Sequence, residues 1–155
     1  MYIAILIGFC VALLLIALKY KNATLDQLPL LNSEDILFEE TTIKVKQSGI
    51  GRSQILHNCF IRVTDKRIII AQKMLLQKKY ALRFVFHYTG ITETTDLGSS
   101  LKKGYLIAEI KRADISVAHS AAGCTVKIEI PDSTLTKNQF ITYNTSTNEN
   151  YKIFQ

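Results

Sequence analysis

Apolar and polar residues alternate with a period of two over most of the chain after residue 33, which predicts β-strands. In residues 80–88, for example, Leu82, Phe84 and Phe86 fall on one face of a strand. The predicted strands are 36–46, 59–64, 67–73, 80–88, 105–110, 125–130, 139–145 and 151–154. Seven or eight short strands, with no amphipathic helix of three turns among them, favour an antiparallel barrel or sandwich.

Turn residues and polar segments separate these strands. Asp65 and Lys66 form the tight turn of the clearest hairpin. Residues 47–58 predict a glycine-containing loop, and residues 89–104 predict a long polar loop. Residues 112–115 are interpreted as a turn or bulge.

The first eighteen residues differ from the rest because they carry no charged side chain. As a helix they would rise about 27 Å, close to the thickness of a hydrocarbon core, so we predict a transmembrane helix. A cleaved signal peptide, leaving a secreted β domain, is the main alternative. However, no basic residue precedes the run and no small-x-small site follows it. A buried core helix is less favoured, since such helices rarely lack a polar face.

The predicted organisation is a transmembrane helix at 1–18, a linker at 19–32 and a β domain at 33–155. Lys19 and Lys21 follow the apolar run, so the positive-inside rule places the rest of the chain in the cytoplasm. The predicted localisation is therefore the membrane, single-pass, with the C-terminal domain in the cytoplasm. A reducing compartment agrees with free thiols on the two cysteines of the β domain.

Two segments of the β domain resemble a known family. Residues 33–40 (SEDILFEE) and 60–70 (FIRVTDKRIII) resemble the opening of bacterial pleckstrin-homology-like (PH-like) and GRAM-like domains, in which a Thr-turn-Lys-Arg hairpin returns as an aliphatic strand. Residues 112–116 (RADIS) are similar to that family's Asp-Ile step before its next hairpin. The resemblance implies a strongly bent, seven-stranded antiparallel barrel closed by a C-terminal helix. Because the sequence stops at Gln155, we expect this helix to be absent or truncated.

The basic residues are unevenly distributed. The chain has 19 Lys and Arg against 13 Asp and Glu, a net charge of +6, and residues 41–83 hold ten basic side chains against Asp65 alone. In an up-and-down meander, the loops after the first and third strands lie at the same end. The basic residues that flank these two loops are Lys44, Lys46, Arg52, Lys73, Lys78 and Lys79. We predict that they bind lipid headgroups or other anions; the alternative is that lysines serve solubility and discourage pairing at strand edges.

No motif for catalysis, a cofactor or a metal stands out. The three histidines lack metal-ligand spacing, and no glycine-rich phosphate loop precedes a helix. Cys59 lies two residues from His57, but a core position is favoured over a nucleophile. We therefore predict a protein that is not an enzyme and has no cofactor and no metal.

The predicted function is a membrane-anchored PH-like binding module that recognises an anionic lipid surface or a membrane partner through its basic loops. The alternative is a protein-interaction or assembly scaffold subunit of a membrane complex, with a protein partner or a second copy at the helixless barrel end. Nucleic acid is not expected, because the basic segment is not interleaved with exposed aromatic residues. No small-molecule substrate is expected either.

Overall fold

The computed structural model describes residues 5–12, 22–49, 53–75, 78–91, 104–130 and 138–155. Within these ranges eight strands form one sheet: β1 (Ile36–Ser48), β2 (Gln54–Thr64), β3 (Arg67–Lys73), β4 (Tyr80–Tyr88), β5 (Leu106–Ile110), β6 (Ile115–Ser120), β7 (Gly123–Ile130) and β8 (Gln139–Thr145). Their order across the sheet is β5-β4-β3-β2-β1-β8-β7-β6. The sheet curls into a half-barrel, so of the predicted fold the mainly β, barrel-like part is confirmed, whereas the closed antiparallel barrel behind a transmembrane helix is not.

One strand pair departs from the predicted antiparallel barrel. Strands β4 and β5 are parallel, with Phe84 beside Leu106 and His87 beside Glu109, whereas the other neighbouring pairs are antiparallel. A parallel pair needs a connection that returns along the whole strand, which alternation along the sequence does not reveal. Strands β5 and β6 form the two edges of the sheet, and the described barrel is therefore open between them.

The inner face of the curled sheet carries the main hydrophobic core. Alternate residues of the strands meet there, which is the packing that a period of two produces. Its fully buried members include Val45, Ile61, Ile70, Phe86, Ile128 and Tyr143.

A second, smaller core lies on the outer face of β3 and β4. Residues 22–35 cross this face, and the backbone N–H of Leu82 donates to the carbonyl oxygen of Ala23 at 2.8 Å. Leu28 packs there against Ile69 and neighbouring residues of the two strands. Residues 22–32, which the sequence predicted as a linker, therefore lie against the sheet.

A buried ion pair holds the end of this crossing segment. Both side chains of the pair, Glu34 and Arg67, have no exposed surface. Arg67 Nε and Nη2 donate to the two carboxylate oxygens of Glu34, each at 2.8 Å, and Nη2 also donates to the carbonyl oxygen of Pro29 at 2.6 Å. The segment is thus attached to β3 by polar contacts as well as by apolar packing.

Three strand predictions needed correction. The predicted loop 47–58 is largely strand, because β1 runs to Ser48 and β2 begins at Gln54. Strand β6 was missed, because its side chains are mostly exposed and show little apolar alternation. The predicted strand 151–154 is part of a C-terminal helix, Glu149–Phe154, since four residues are too few for a helical and a strand period to be distinguished.

The predicted transmembrane helix was wrong. None of the helices in the described ranges is long and apolar enough to cross a membrane. Of the apolar run, residues 5–12 are described, and they are helical. Residues 1–4 and 13–18 lie outside the described ranges. The predicted localisation, single-pass with a cytoplasmic C-terminal domain, depended on that span and is corrected with it.

Candidate functional site

The ends of six strands lie at one end of the half-barrel. Strand β1 ends at Ser48 beside Phe140, near the start of β8, so the strand ends that flank the β1–β2 and β7–β8 connections lie together. Strands β3 and β4 turn at the same end, because Lys73 pairs with Tyr80 and β3 runs antiparallel to β2. We call this the hairpin end. It is the end at which the sequence analysis placed the six basic residues.

The structure brings five of those six residues to this region, and all five are exposed: Lys44, Lys46, Lys73, Lys78 and Lys79. Lys44 and Lys46 alternate with buried residues of β1 and therefore project from the outer face. The register places Lys44 and Lys73 two strands apart at nearly the same level, which is about 10 Å between backbones. Arg52, the sixth residue, lies outside the described ranges.

Exposed apolar side chains accompany these lysines. Leu75, in the turn between β3 and β4, is 102% exposed, and Ile55, near the start of β2, is 56% exposed. Ile55 pairs with Lys46, while Leu75 follows Lys73 by two residues. Asp65, the only acidic residue among residues 41–83, lies at the opposite turn. The hairpin end is therefore basic with apolar tips.

One cation beside this surface was missed by the sequence analysis. Lys127 of β7 pairs with Thr142 of β8, which in turn pairs with Lys46. The ammonium nitrogen of Lys127 lies 4.1 Å from the centroid of the Phe140 ring, within the range of a cation–π contact. The sequence shows Lys127 as an outward residue of its strand, but only the pairing of β1 with β8 places it beside Lys46.

The opposite end of the half-barrel is arranged differently. The C-terminal helix lies there, following β8, and its Tyr151, Ile153 and Phe154 pack against the main core. The ring of Tyr151 lies 5.1 Å from that of His119 on β6. The C-terminal helix, which was predicted to be absent or truncated, is therefore present as a short helix of six residues.

The residues considered for catalysis are not brought together. Cys59 is fully buried in the main core, whereas the side chain of His57 is exposed. Burial raises the pKa of the Cys59 thiol to about 11, so the thiol stays protonated near neutral pH. Within the described ranges, no group of three His, Cys, Asp or Glu side chains has an arrangement that could hold a metal ion.

Comparison with protein-family models, with curated proteins and with solved structures found no match to this chain. The resemblance to PH-like and GRAM-like domains therefore remains a prediction.

Proposed function

We propose that this protein is a binding module that attaches to anionic lipid surfaces through its hairpin end. The observation that carries the proposal is the complete exposure of Leu75 in a turn flanked by Lys73 and Lys78. Apolar tips with a basic surround suit a bilayer interface, because the apolar groups enter the headgroup region while the cations face anionic lipids.

The physical chemistry supports reversible attachment. A basic residue near an anionic leaflet contributes about 1 kcal/mol, so the five described lysines would contribute about 5 kcal/mol. That figure corresponds to an affinity of roughly 1 mM or somewhat tighter. Insertion of Leu75 and Ile55 would strengthen it by about 1.5–3 kcal/mol for each side chain that is fully buried.

Solubility and edge protection account less well for these residues. Lysines that prevent pairing between sheets are expected on edge strands, but the edges here are β5 and β6. Lys44, Lys46 and Lys73 lie on β1 and β3, both of which have neighbours on two sides. An exposed leucine beside them does not favour solubility.

The competing assembly hypothesis depended on a barrel end without a helix. The C-terminal helix, through Tyr151, Ile153 and Phe154, packs against the core at that end. A short helix therefore occupies part of that end, which supports the assembly hypothesis less than the exposed basic and apolar residues support lipid attachment.

Vesicle flotation of the full chain tests the proposal. We expect stronger flotation with phosphatidylcholine vesicles containing about one-third phosphatidylserine than with phosphatidylcholine alone, and a loss of this difference at high salt. The double variant Lys73→Gln/Lys79→Gln should reduce the anionic component about thirtyfold, from about 2 kcal/mol of lost attraction. Leu75→Ser should weaken binding to anionic vesicles with little change in its salt dependence.

Lys66→Gln is the matched control, because Lys66 lies at the opposite turn and its loss changes the net charge by the same single unit as each test substitution. The apolar run 1–18 is common to all variants, so a difference between variants reports only the substituted residues. Equal flotation with neutral and anionic vesicles at moderate salt would refute the proposal. The proposal would also be refuted if Lys66→Gln reduced flotation with anionic vesicles as much, for each substituted residue, as Lys73→Gln/Lys79→Gln does.

A further inference from the structure

A cavity of about 250 Å³ opens at the hairpin end, beside the proposed lipid-facing turns. Its walls come from β1, β2 and β4 and from the start of β5. Leu56 and Phe84, which belong to the main core, and Leu106, which packs against it, supply its apolar lining. Gln47 and Gln54, the last pair of the β1–β2 ladder, stand where the cavity meets the hairpin turns.

Among the described residues that line the cavity, Arg83 is the only charged one. Its Nε donates to Oε1 of Gln72 at 3.1 Å, and the carboxamide of Gln72 donates to the carbonyl oxygen of His57 at 3.3 Å. This chain of hydrogen bonds orients the guanidinium group. Within the described ranges, no ion pair joins Arg83 to a carboxylate, in contrast to Arg67 and Arg62.

The described lining therefore combines one guanidinium group, two carboxamides and the phenol of Tyr105 with an apolar surface, and none of the described lining residues is acidic. A guanidinium group is a strong donor to carboxylate and phosphate oxygens, and carboxamide N–H groups can donate to the same oxygens. The apolar lining favours a hydrocarbon chain. The volume is slightly below the range of typical ligand sites, about 300–1,000 Å³, which suits one short chain and excludes a diacyl lipid.

We propose that this cavity binds a single-chain anionic amphiphile, with its carboxylate or phosphate group at Arg83 and its chain against Leu56, Phe84 and Leu106. The inference goes beyond the proposed function, because attachment to a lipid surface requires no cavity. The two are physically separable, since the cavity faces the inside of the half-barrel and Lys44 and Lys46 project from the outer face.

Isothermal titration of the full chain with four short probes tests the chemistry. We expect octanoate and octyl phosphate to bind, octanol to bind at least tenfold more weakly, and octyltrimethylammonium to show no saturable binding. A preference between the two anions of tenfold or more would identify the carboxylate or the phosphate as the natural headgroup. Octanol binding as tightly as both anions would overturn the inference, as would no saturable binding of either anion at millimolar concentration.

Three substitutions locate the site. Arg83→Gln should weaken both anions at least tenfold, whereas Arg62→Gln, which removes a guanidinium group that pairs with Glu39 on the outer face, should leave them unchanged. Leu106→Trp should fill the cavity and abolish binding. If Leu106→Trp disturbs the far-UV circular dichroism spectrum, Gln54→Ala provides a milder test at an exposed position, with an expected loss of about threefold or more. Equal effects of Arg83→Gln and Arg62→Gln would overturn the assignment.

The same proteins separate this inference from the proposed function. Leu106→Trp should lose the soluble anions and still float with anionic vesicles, while Lys73→Gln/Lys79→Gln should show the reverse. If the unsubstituted chain binds the soluble probes but does not float with anionic vesicles, only the lipid-surface proposal is refuted. If it floats with anionic vesicles but binds neither anionic probe, only the cavity ligand is refuted.

Discussion

The substitution Glu34→Gln would test how the crossing segment is held on the sheet. The Glu34 carboxylate accepts four hydrogen bonds: two from Arg67 at 2.8 Å, one from Thr64 Oγ1 at 2.7 Å and one from the backbone N–H of Leu31 at 2.6 Å. A carboxamide of the same shape removes the charge and replaces one acceptor by a donor. Arg67 would then remain a buried cation without its carboxylate.

The expected loss of stability is large. Breaking a buried ion pair by removing one partner costs about 3–5 kcal/mol, because the remaining charge is uncompensated. Small domains unfold with about 5–15 kcal/mol, so this is a substantial part of the total. With a urea dependence of about 2 kcal/mol per M, the unfolding midpoint of Glu34→Gln should fall by about 2 M.

Urea unfolding followed by far-UV circular dichroism measures this shift, and the chain supplies a matched control. Glu39→Gln removes the same type of carboxylate from an ion pair with Arg62, in which Arg62 Nε lies 2.5 Å from Glu39 Oε1. This pair is partly exposed, since 39% of the Glu39 side chain and 20% of the Arg62 side chain are accessible. An exposed pair contributes about 0–1 kcal/mol, so the midpoint of Glu39→Gln should move by less than about 0.5 M.

A second variant distinguishes a lost charge partner from general damage. Glu34→Gln/Arg67→Met removes the stranded cation and should recover much of the stability that Glu34→Gln loses. The reasoning would be refuted if Glu34→Gln and Glu39→Gln shifted the midpoint equally. A double variant less stable than Glu34→Gln would also contradict it, since the cost would then not arise from a buried guanidinium group that has lost its carboxylate.

Three further predictions concern pH and backbone strain. Burial acts to raise the pKa of Glu34, but hydrogen bonds from Arg67, Leu31 and Thr64 outweigh it and lower that pKa, while burial lowers the pKa of His87. Because both pKa values are lower in the folded protein, the unfolded chain binds more protons and acid favours unfolding. The urea midpoint should therefore fall below about pH 6.5, where His87 titrates in the unfolded chain, and further below about pH 4.5, where Glu34 does. A midpoint that stayed constant between pH 7 and pH 4 would contradict this. The pKa of Cys59 is raised from an ordinary value of 9.0 to about 11, so the stability that the buried neutral thiol contributes should be intact below pH 9 and lost as the pH rises through 11. At pH 8, mass spectrometry should find Cys59 alkylated by iodoacetamide only after the protein is unfolded. Rapid alkylation of the native protein would show that the thiol is accessible and would contradict this prediction. Gly123→Ala should destabilise the protein by about 1–3 kcal/mol or more, because φ is +127° and the new Cβ would lie 1.9 Å from a carbonyl oxygen of β8. Gly90→Ala is the control, since Gly90 also has a positive φ (+92°) but has open space around it, and this variant should cost less. Equal thermal midpoints for the two variants would contradict the steric explanation.

The strand content was predictable because alternation is a local property of the sequence. Strands β3 and β4 were found with their observed bounds, since both have apolar residues at regular positions and clear turn signals. Strand β6 was not found, because its sequence, ISVAHS, has only two large apolar residues and mostly exposed side chains. The C-terminal helix was not predicted either, because a six-residue segment shows less than two helical turns.

The candidate site was predictable in part for the same reason. The meander of β1 to β4 follows from short connections between consecutive strands, and it places Lys44, Lys73 and Lys79 near one end. The position of Lys127 beside Lys46 depends on the pairing of β1 with β8, which are separated by about ninety residues of sequence. The cavity likewise depends on the parallel pairing of β5 with β4.

By itself, the sequence determined that this protein is mainly β and that its excess positive charge is concentrated in residues 41–83. Only the tertiary structure decided which basic residues are exposed and which are buried. Arg67 and Lys66 are adjacent in the sequence, yet Arg67 is fully buried because Glu34, thirty-three residues earlier, meets it on the outer face of β3. The physical reason is that local patterning records which face a residue takes, whereas burial of a charge requires a partner that distant segments supply.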